Sequence, residues 1–211
     1  MTGPLQLPPG AFQREDETPD AEFYRVPRLV THLDDLATAA VTQLYREYFS
    51  PGGALLDLMS SWISHLPPEV AYARVAGLGL NAVELAANPR LTEWVVHDLN
   101  ANPRLPYHTA AFDGAAICAS IDYLIQPLAV LRELGRVLRP GAPLVITFSN
   151  RCFPTKVIAV WRHLDDDGHV ALVAQWLRDS GAFGDLVFLD RSPHGGGDPL
   201  YAVIGRALTP G

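Results

Sequence analysis

The sequence predicts a three-layer α/β/α domain on a mainly parallel sheet, and three observations carry that prediction. Apolar runs of five or six residues alternate with helical stretches, the pattern of parallel strands covered on both faces by crossover helices. The last two strand candidates, "DLVFLD" and "LYAVIGR", are separated only by the loop "RSPHGGGDP", so they pair antiparallel. The 211 residues are 48% hydrophobic and 18% charged, enough for one domain with a substantial core.

Residues 1–20 hold Pro4, Pro8, Pro9 and Pro19 among polar residues and read as a flexible N-terminal arm. The single domain then spans 21–211, with a helical cover over 21–50 and an alternating core over 53–211. In the cover, Leu29, Leu33, Leu36, Ala40 and Leu44 recur every three or four residues, which predicts a helix from about Pro27 to Phe49. Pro27 suits its first turn, and "SPGG" at 50–53 stops it. Strands follow at 54–58, 73–78, 94–97, 114–120, 143–149, 185–190 and 200–206, with helices at about 82–88, 127–138 and 168–179. The clearest helix is "PLAVLRELGRVL", with Leu128, Leu131, Leu134 and Val137 on one face and "RPG" at its end. Gly195, Gly196 and Gly197 read as a mobile hairpin loop.

Composition narrows the function classes. The formal net charge of −7 argues against general nucleic-acid or anionic-membrane binding. No run of about 18 apolar residues marks a transmembrane helix, and "MTGPLQLPPG" lacks a secretory pattern. Two cysteines, Cys118 and Cys152, are too few for a disulfide framework, so a cytoplasmic location is expected. Asp165, Asp166 and Asp167 in "HLDDDGH" read as the acidic start of a helix, and no metal is expected.

The stretch "ALLDLMSSWISHLP", residues 54–67, has the form of a buried strand entering a ligand loop, but without the glycines that let a backbone turn sharply around a phosphate or cofactor. Further on, Gly77-Leu78-Gly79-Leu80-Asn81-Ala82 matches G-x-G-x-x-A, and Asp98 lies 21 residues beyond Gly77. That is the spacing of a dinucleotide-binding acidic residue. Against it, Asn88-Pro89 ends the following helix early, and the match falls on the second strand of the alternation.

A second pattern spans "LPYHTAAFDGAAICASIDYLIQPLAVLRELGRVLRPGAPLVITFSNR". Leu105-Pro106-Tyr107, Phe112-Asp113 and Leu138-Arg139-Pro140-Gly141 stand in the order that leads into the fourth and fifth strands of one family. The chain resembles the class I S-adenosylmethionine-dependent methyltransferases, in particular the small-molecule, type 11-like group, over about residues 53–150. The resemblance implies a Rossmann-like fold with the antiparallel C-terminal pair already noted, S-adenosylmethionine as cofactor and a small-molecule methyl acceptor as partner.

It also implies a set of site residues. Asp57 matches the acidic position of the first motif, whereas Met59, Ser61 and Ile63 stand where glycines are usual. Gly79 falls where a carboxylate normally holds the ribose. Asp98 matches the residue that contacts the adenine amino group, with Leu99 after it, and Ser120, Asp122 and Tyr123 follow the fourth strand beside the transfer pocket. Ser60 and Ser61 offer backbone N–H groups and hydroxyls to a cofactor carboxylate, or else cap a helix. Asn81 offers a hydrogen bond to the ribose, and Gly77 completes the expected cofactor set. Tyr123 is the polar group expected nearest the transferring methyl. Tyr24 and Arg28 in "EFYRVPRLVTH", with Asn150 and Arg151 after the fifth strand, are the expected acceptor contacts. The expected function is methyl transfer to a small molecule. The alternatives are a catalytically silent member with a binding or regulatory role and, third, a nicotinamide-dependent oxidoreductase.

Overall fold

The computed structural model describes residues 7–209. In it the chain builds α1 (Asp20–Phe23), α2 (Asp35–Tyr48), β1 (Ala54–Leu58), β2 (Arg74–Gly79), α3 (Ala82–Ala87), β3 (Glu93–Val96) and β4 (Gly114–Cys118). A 3-10 turn (Ile121–Tyr123), α4 (Pro127–Val137), β5 (Pro143–Phe148), α5 (Ala159–Arg162), α6 (Asp166–Ser180), β6 (Phe183–Asp190) and β7 (Tyr201–Ala207) follow. The seven strands form one sheet in the order β3-β2-β1-β4-β5-β7-β6. All neighbours are parallel except the β5–β7 and β6–β7 pairs, as the helix-free C-terminal connection requires. The antiparallel β7 between β5 and β6 separates this order from the dinucleotide-binding 3-2-1-4-5-6 and removes the topological support for the oxidoreductase reading.

Side chains alternate across the sheet with the strand period of two. Leu56, Leu58, Ala115, Ile117, Leu144 and Ile146 face a core shared with α4 and α6. Leu55, Val75, Ala116 and Val145 face a second core, covered by Val41, Leu44 and Tyr45 of α2. The two family-like segments have a structural reason. Asp113 accepts the Ala54 N–H at 2.8 Å and pairs with Arg139, while Phe112 bridges to Leu138, so together they clamp the starts of β1 and β4 to the end of α4. Asp165 caps α6 by accepting from the Gly168 N–H at 2.9 Å, as its acidic first turn predicts. Among the described residues no helix is long and apolar enough to cross a membrane.

Two expectations are corrected. The cover helix begins at Asp35 rather than near Pro27, because Asp34 caps it through the Ala37 N–H and is itself fixed by the Asp198 N–H. Residues 24–34 instead run without helix toward the C-terminal ends of the strands. The N-terminal segment is docked from residue 11 onward, whereas residues 1–6 lie outside the described residues. Gln13 and Ala11 accept the N–H groups of Ala159 and Val160, Asp16 donates to Thr155, and Ala11 is buried. Its charges explain the docking: Lys156, fully buried, donates to the carbonyls of Thr18 and Asp16 and pairs with Asp16 and Asp20. Asp20 also accepts from Arg14 Nη1 through both carboxylate oxygens, at 2.7 and 2.9 Å, and from Asn100 at 2.8 Å. The hairpin loop is anchored just after its glycines, where Asp198 accepts from Arg151 and from the Asp34 N–H.

Candidate functional site

A hollow of about 550 Å³ opens at the C-terminal ends of β1, β2 and β4, the place where parallel sheets bind ligands. The strand ends contribute Asp57, Leu78, Gly79 and Cys118, and the loops after β3 and β4 contribute Asp98, Leu99, Ala119 and Ser120. Residues 59–65 form a second wall. The segment from α1 to α2 roofs it with Tyr24, Arg28 and His32. Met59 and Trp62 stand on the wall and leave the space open, the Trp62 indole donating to the Val30 carbonyl at 3.0 Å.

The link from β1 to β2 contains no helix, so Ser60 and Ser61 cap none. Met59 adopts φ +56°, a left-handed turn made without the glycine that such a turn favours. The chain then folds back on the sheet, with the Ser60 N–H donating to the Leu78 carbonyl at 2.8 Å. Ser60 and Ser64 hydroxyls both donate to Asp57 Oδ2 at 2.6 Å. Asn88 donates to Ser64 Oγ and to the Ser61 carbonyl, and Ser61 Oγ donates to Glu84 at 2.6 Å. Glu84 also accepts the Arg28 N–H at 2.7 Å. Asn81 caps α3 through its Oδ1 and donates Nδ2 to the Tyr24 carbonyl at 2.8 Å. These polar groups therefore hold the wall and the roof together.

Burial sets the protonation of the site. It pushes the Asp57 carboxyl up to about 6 against the two serine hydroxyls that lower it. His65 is lowered to about 4, mainly by burial, and His32 is lowered for the same reason, so both imidazoles are neutral near pH 7. Tyr123 lies on the wall with its hydroxyl accepting the Phe153 N–H at 2.8 Å, and burial holds it as a neutral phenol. Burial also pushes Tyr24 well up. Among the described residues, Ser120 Oγ and His65 Nδ1 on the wall and Arg28 Nη1 on the roof are buried without a hydrogen-bond partner.

A family model described as a methyltransferase domain matches residues 60–146. Among solved structures, the [4+2]-cyclase SpnF is 18% identical with a TM-score of 0.59, covering 81% of each chain. An S-adenosylmethionine-dependent methyltransferase from Mesorhizobium loti is 17% identical with a TM-score of 0.58, covering 81% of this chain and 99% of that one. Phosphoethanolamine N-methyltransferase 2 of Haemonchus contortus, solved with S-adenosyl-L-methionine, is 12% identical with a TM-score of 0.60. That match covers 81% of this chain and 52% of the nematode enzyme. No curated protein matches at the sequence level.

The fold is that of the class I methyltransferases. On this methyltransferase fold the expected cofactor residues divide. Asp57, Ser60, Ser61, Gly79, Asn81, Asp98, Leu99 and Ser120 line the hollow. Gly77 does not: it sits within β2 opposite Asp57 and Trp94, where a Cβ would meet Leu91 at 2.3 Å. Asp122 is also displaced, buried in the 3-10 turn behind the wall with Oδ2 unpartnered and its carboxyl pushed up to about 7 by burial. Of the acceptor set, Tyr24, Arg28 and Arg151 line the hollow, while Asn150 is exposed outside it. A Cβ on Gly79 would lie 2.1 Å from the Ser60 carbonyl oxygen, so the turn after β1 leaves no room for a side chain at this position.

The structure adds Glu84, His65 and Asp20, which sequence reasoning passed over. Glu84 sits three residues after the cap Asn81 and reads as an ordinary first-turn acid. Asp20 follows a proline and reads the same way. Apart from Arg14, six residues before Asp20, the partners cited for these two acids lie 23 to 136 residues away in the chain, where local pattern holds no trace of them.

Proposed function

We propose that the hollow binds S-adenosylmethionine and that the protein transfers its methyl group to a small-molecule acceptor entering beneath the roof. The observation that carries this reading is the position and size of the hollow, bounded by Asp57, Asp98, Leu99 and Ser120 on a methyltransferase fold. The residues fit an adenosyl ligand at its base end. Asp98 is held at the end of β3 by accepting the N–H groups of Asn100 and Ala101, and Ser120 Oγ is buried with no protein partner. At the ribose end the fit relies on backbone and on the rim of Asn81 and Ser61, because Gly79 carries no carboxylate. Loss of one charge-assisted bond weakens binding by about 1.5–3 kcal/mol without abolishing it.

When bound, the cofactor supplies a methyl carbon on a sulfonium, which an acceptor lone pair displaces as the carbon–sulfur bond breaks. The chain's own residues orient and enclose. Acidic groups on the wall, Asp57 and Asp98 among them, favour a cationic ligand. Tyr24, Tyr123 and Phe153 wall off water and hold the acceptor close, the main source of acceleration in such a displacement. Tyr123 acts here as a wall whose hydroxyl is fixed on Phe153, since a neutral phenol held this high removes no proton. The neutral His32 imidazole at the roof is the group suited to accept an acceptor's proton.

One observation favours a second reading, a binding protein without turnover: the Ser60 carbonyl crowds the Gly79 position, to which the resemblance would assign a ribose-binding carboxylate. Calorimetry with S-adenosylmethionine, S-adenosylhomocysteine and NADH separates the readings. Both sulfur ligands are expected to bind at about micromolar Kd and NADH not at all. No heat with either sulfur ligand up to millimolar concentration overturns the proposal, and tight binding without turnover on a panel of acceptors leaves the second reading.

A further inference from the structure

The roof of the hollow carries a cation without a counter-charge. The carboxylates around it are engaged: Asp20 with Arg14 and Lys156, Glu84 with Ser61 and a backbone N–H, Asp198 with Arg151. Arg28 differs from these cations. Among the described residues its guanidinium makes no ion pair with a carboxylate. Its Nη2 donates to the Phe23 carbonyl at 2.9 Å, while Nη1 is shut off from water without any acceptor.

The guanidinium is held among aromatic rings. It lies 4.4 Å from the centroid of Phe23, 5.3 Å from Phe153 and 5.4 Å from Tyr24. Those rings pack edge to face on one another, so the fork is presented in a fixed orientation. Its backbone is anchored to Glu84 just after β2, and its side chain reaches across to Phe153, which follows β5. Asp98 follows β3, next to β2, whereas Phe153 follows β5, beyond β1 and β4 in the sheet. The guanidinium is thus turned toward the Phe153 side of the hollow, which the methyl-transfer reading makes the transfer end.

We infer that Arg28 holds a carboxylate of the methyl acceptor, and that the acceptor is a small organic acid with a flat apolar body. A planar fork matches a carboxylate, and the surrounding Phe23, Tyr24 and Phe153 match an apolar plane next to it. The inference rests on the methyl-transfer reading for the identity of the ligand as acceptor. Because Nη1 is shut off from water, a side chain on the roof must move outward for the carboxylate to reach it.

The test titrates benzoate and benzamide, alike in shape and different in charge, into the full-length protein with and without S-adenosylhomocysteine. Wild type is expected to bind benzoate about tenfold tighter than benzamide, and Arg28→Met to erase that preference. Arg28→Lys, which keeps the charge and loses the fork, is expected to fall between them. The Arg28 N–H to Glu84 survives both substitutions, and a thermal melt reports whether the fold does. Affinity for S-adenosylhomocysteine should stay within about twofold in Arg28→Met. Equal binding of the two probes, or no binding of benzoate, overturns the inference. So does a loss of S-adenosylhomocysteine affinity in Arg28→Met with methylthioadenosine unaffected, since that assigns Arg28 to the donor's own carboxylate. A benzoate preference that persists while S-adenosylhomocysteine fails to bind supports the clamp and refutes the methyl-transfer reading alone.

Discussion

Replacing Gly79 by alanine tests whether the turn after β1 is as fixed as its bonds imply. The added Cβ would lie 2.1 Å from the Ser60 carbonyl oxygen, against an ordinary C···O contact of about 3.3 Å, so that carbonyl must retreat by about 1.2 Å. The movement is not free. Ser60 donates its N–H to Leu78 at 2.8 Å and its hydroxyl to Asp57 at 2.6 Å. Losing the first costs about 1 kcal/mol and the second, to a charged group, about 1.5–3 kcal/mol. The sum of about 2.5–4 kcal/mol lowers Tm by about 5–15 °C in a domain of this size. Thermal and urea denaturation followed by circular dichroism read it directly. A Tm within about 2 °C of wild type would show that the turn yields freely, and the reasoning fails. Gly79→Asp then carries the functional corollary: an added carboxylate at this position lowers stability at least as much and brings no gain in S-adenosylhomocysteine affinity.

Three further outcomes are expected. Asp98→Ala weakens S-adenosylhomocysteine binding by about tenfold or more, and Asp57→Asn by less, because Asp98 is the acidic residue at the base end; equal calorimetric affinities of wild type and Asp98→Ala would refute this. Asp57 also makes stability depend on pH: its folded value of about 6 exceeds the unfolded one near 3.9, so its contribution is full below about pH 4 and lost as pH rises through 6. Asp57→Asn removes that dependence, and its stability should rise relative to wild type by about 1–3 kcal/mol between pH 4 and 7; parallel urea-derived curves would contradict it. Asp20→Ala leaves Arg14 and the buried Lys156 without their shared carboxylate and should cost about 3–5 kcal/mol, with residues 11–20 becoming protease-sensitive; unchanged proteolysis would show that the arm is held by other contacts.

The sequence by itself determined the layers, the strand order's broad class and the antiparallel ending. Each rests on local pattern, such as the buried runs of β1, β4 and β5, the amphipathic face of α4 with its Pro127 start, and the helix-free step from β6 to β7. It also placed Asp57, Asp98 and Ser120 at one ligand end, because parallel strands deliver their C-terminal residues to the same edge. Only the tertiary structure decided what those residues face. Ser60, Ser61 and Asn81 read as cofactor contacts, yet their side chains bind Asp57, Glu84 and the Tyr24 carbonyl. Helical periodicity from Pro27 gave way to an Asp34 cap whose partner Asp198 comes from the far end of the chain. The arm that looked unable to bury anything is held by ion pairs with Lys156, about 140 residues on. Hydrophobic period is a local property and survives in any window of sequence, whereas a hydrogen bond or ion pair forms between whichever groups the finished fold brings within about 3 Å.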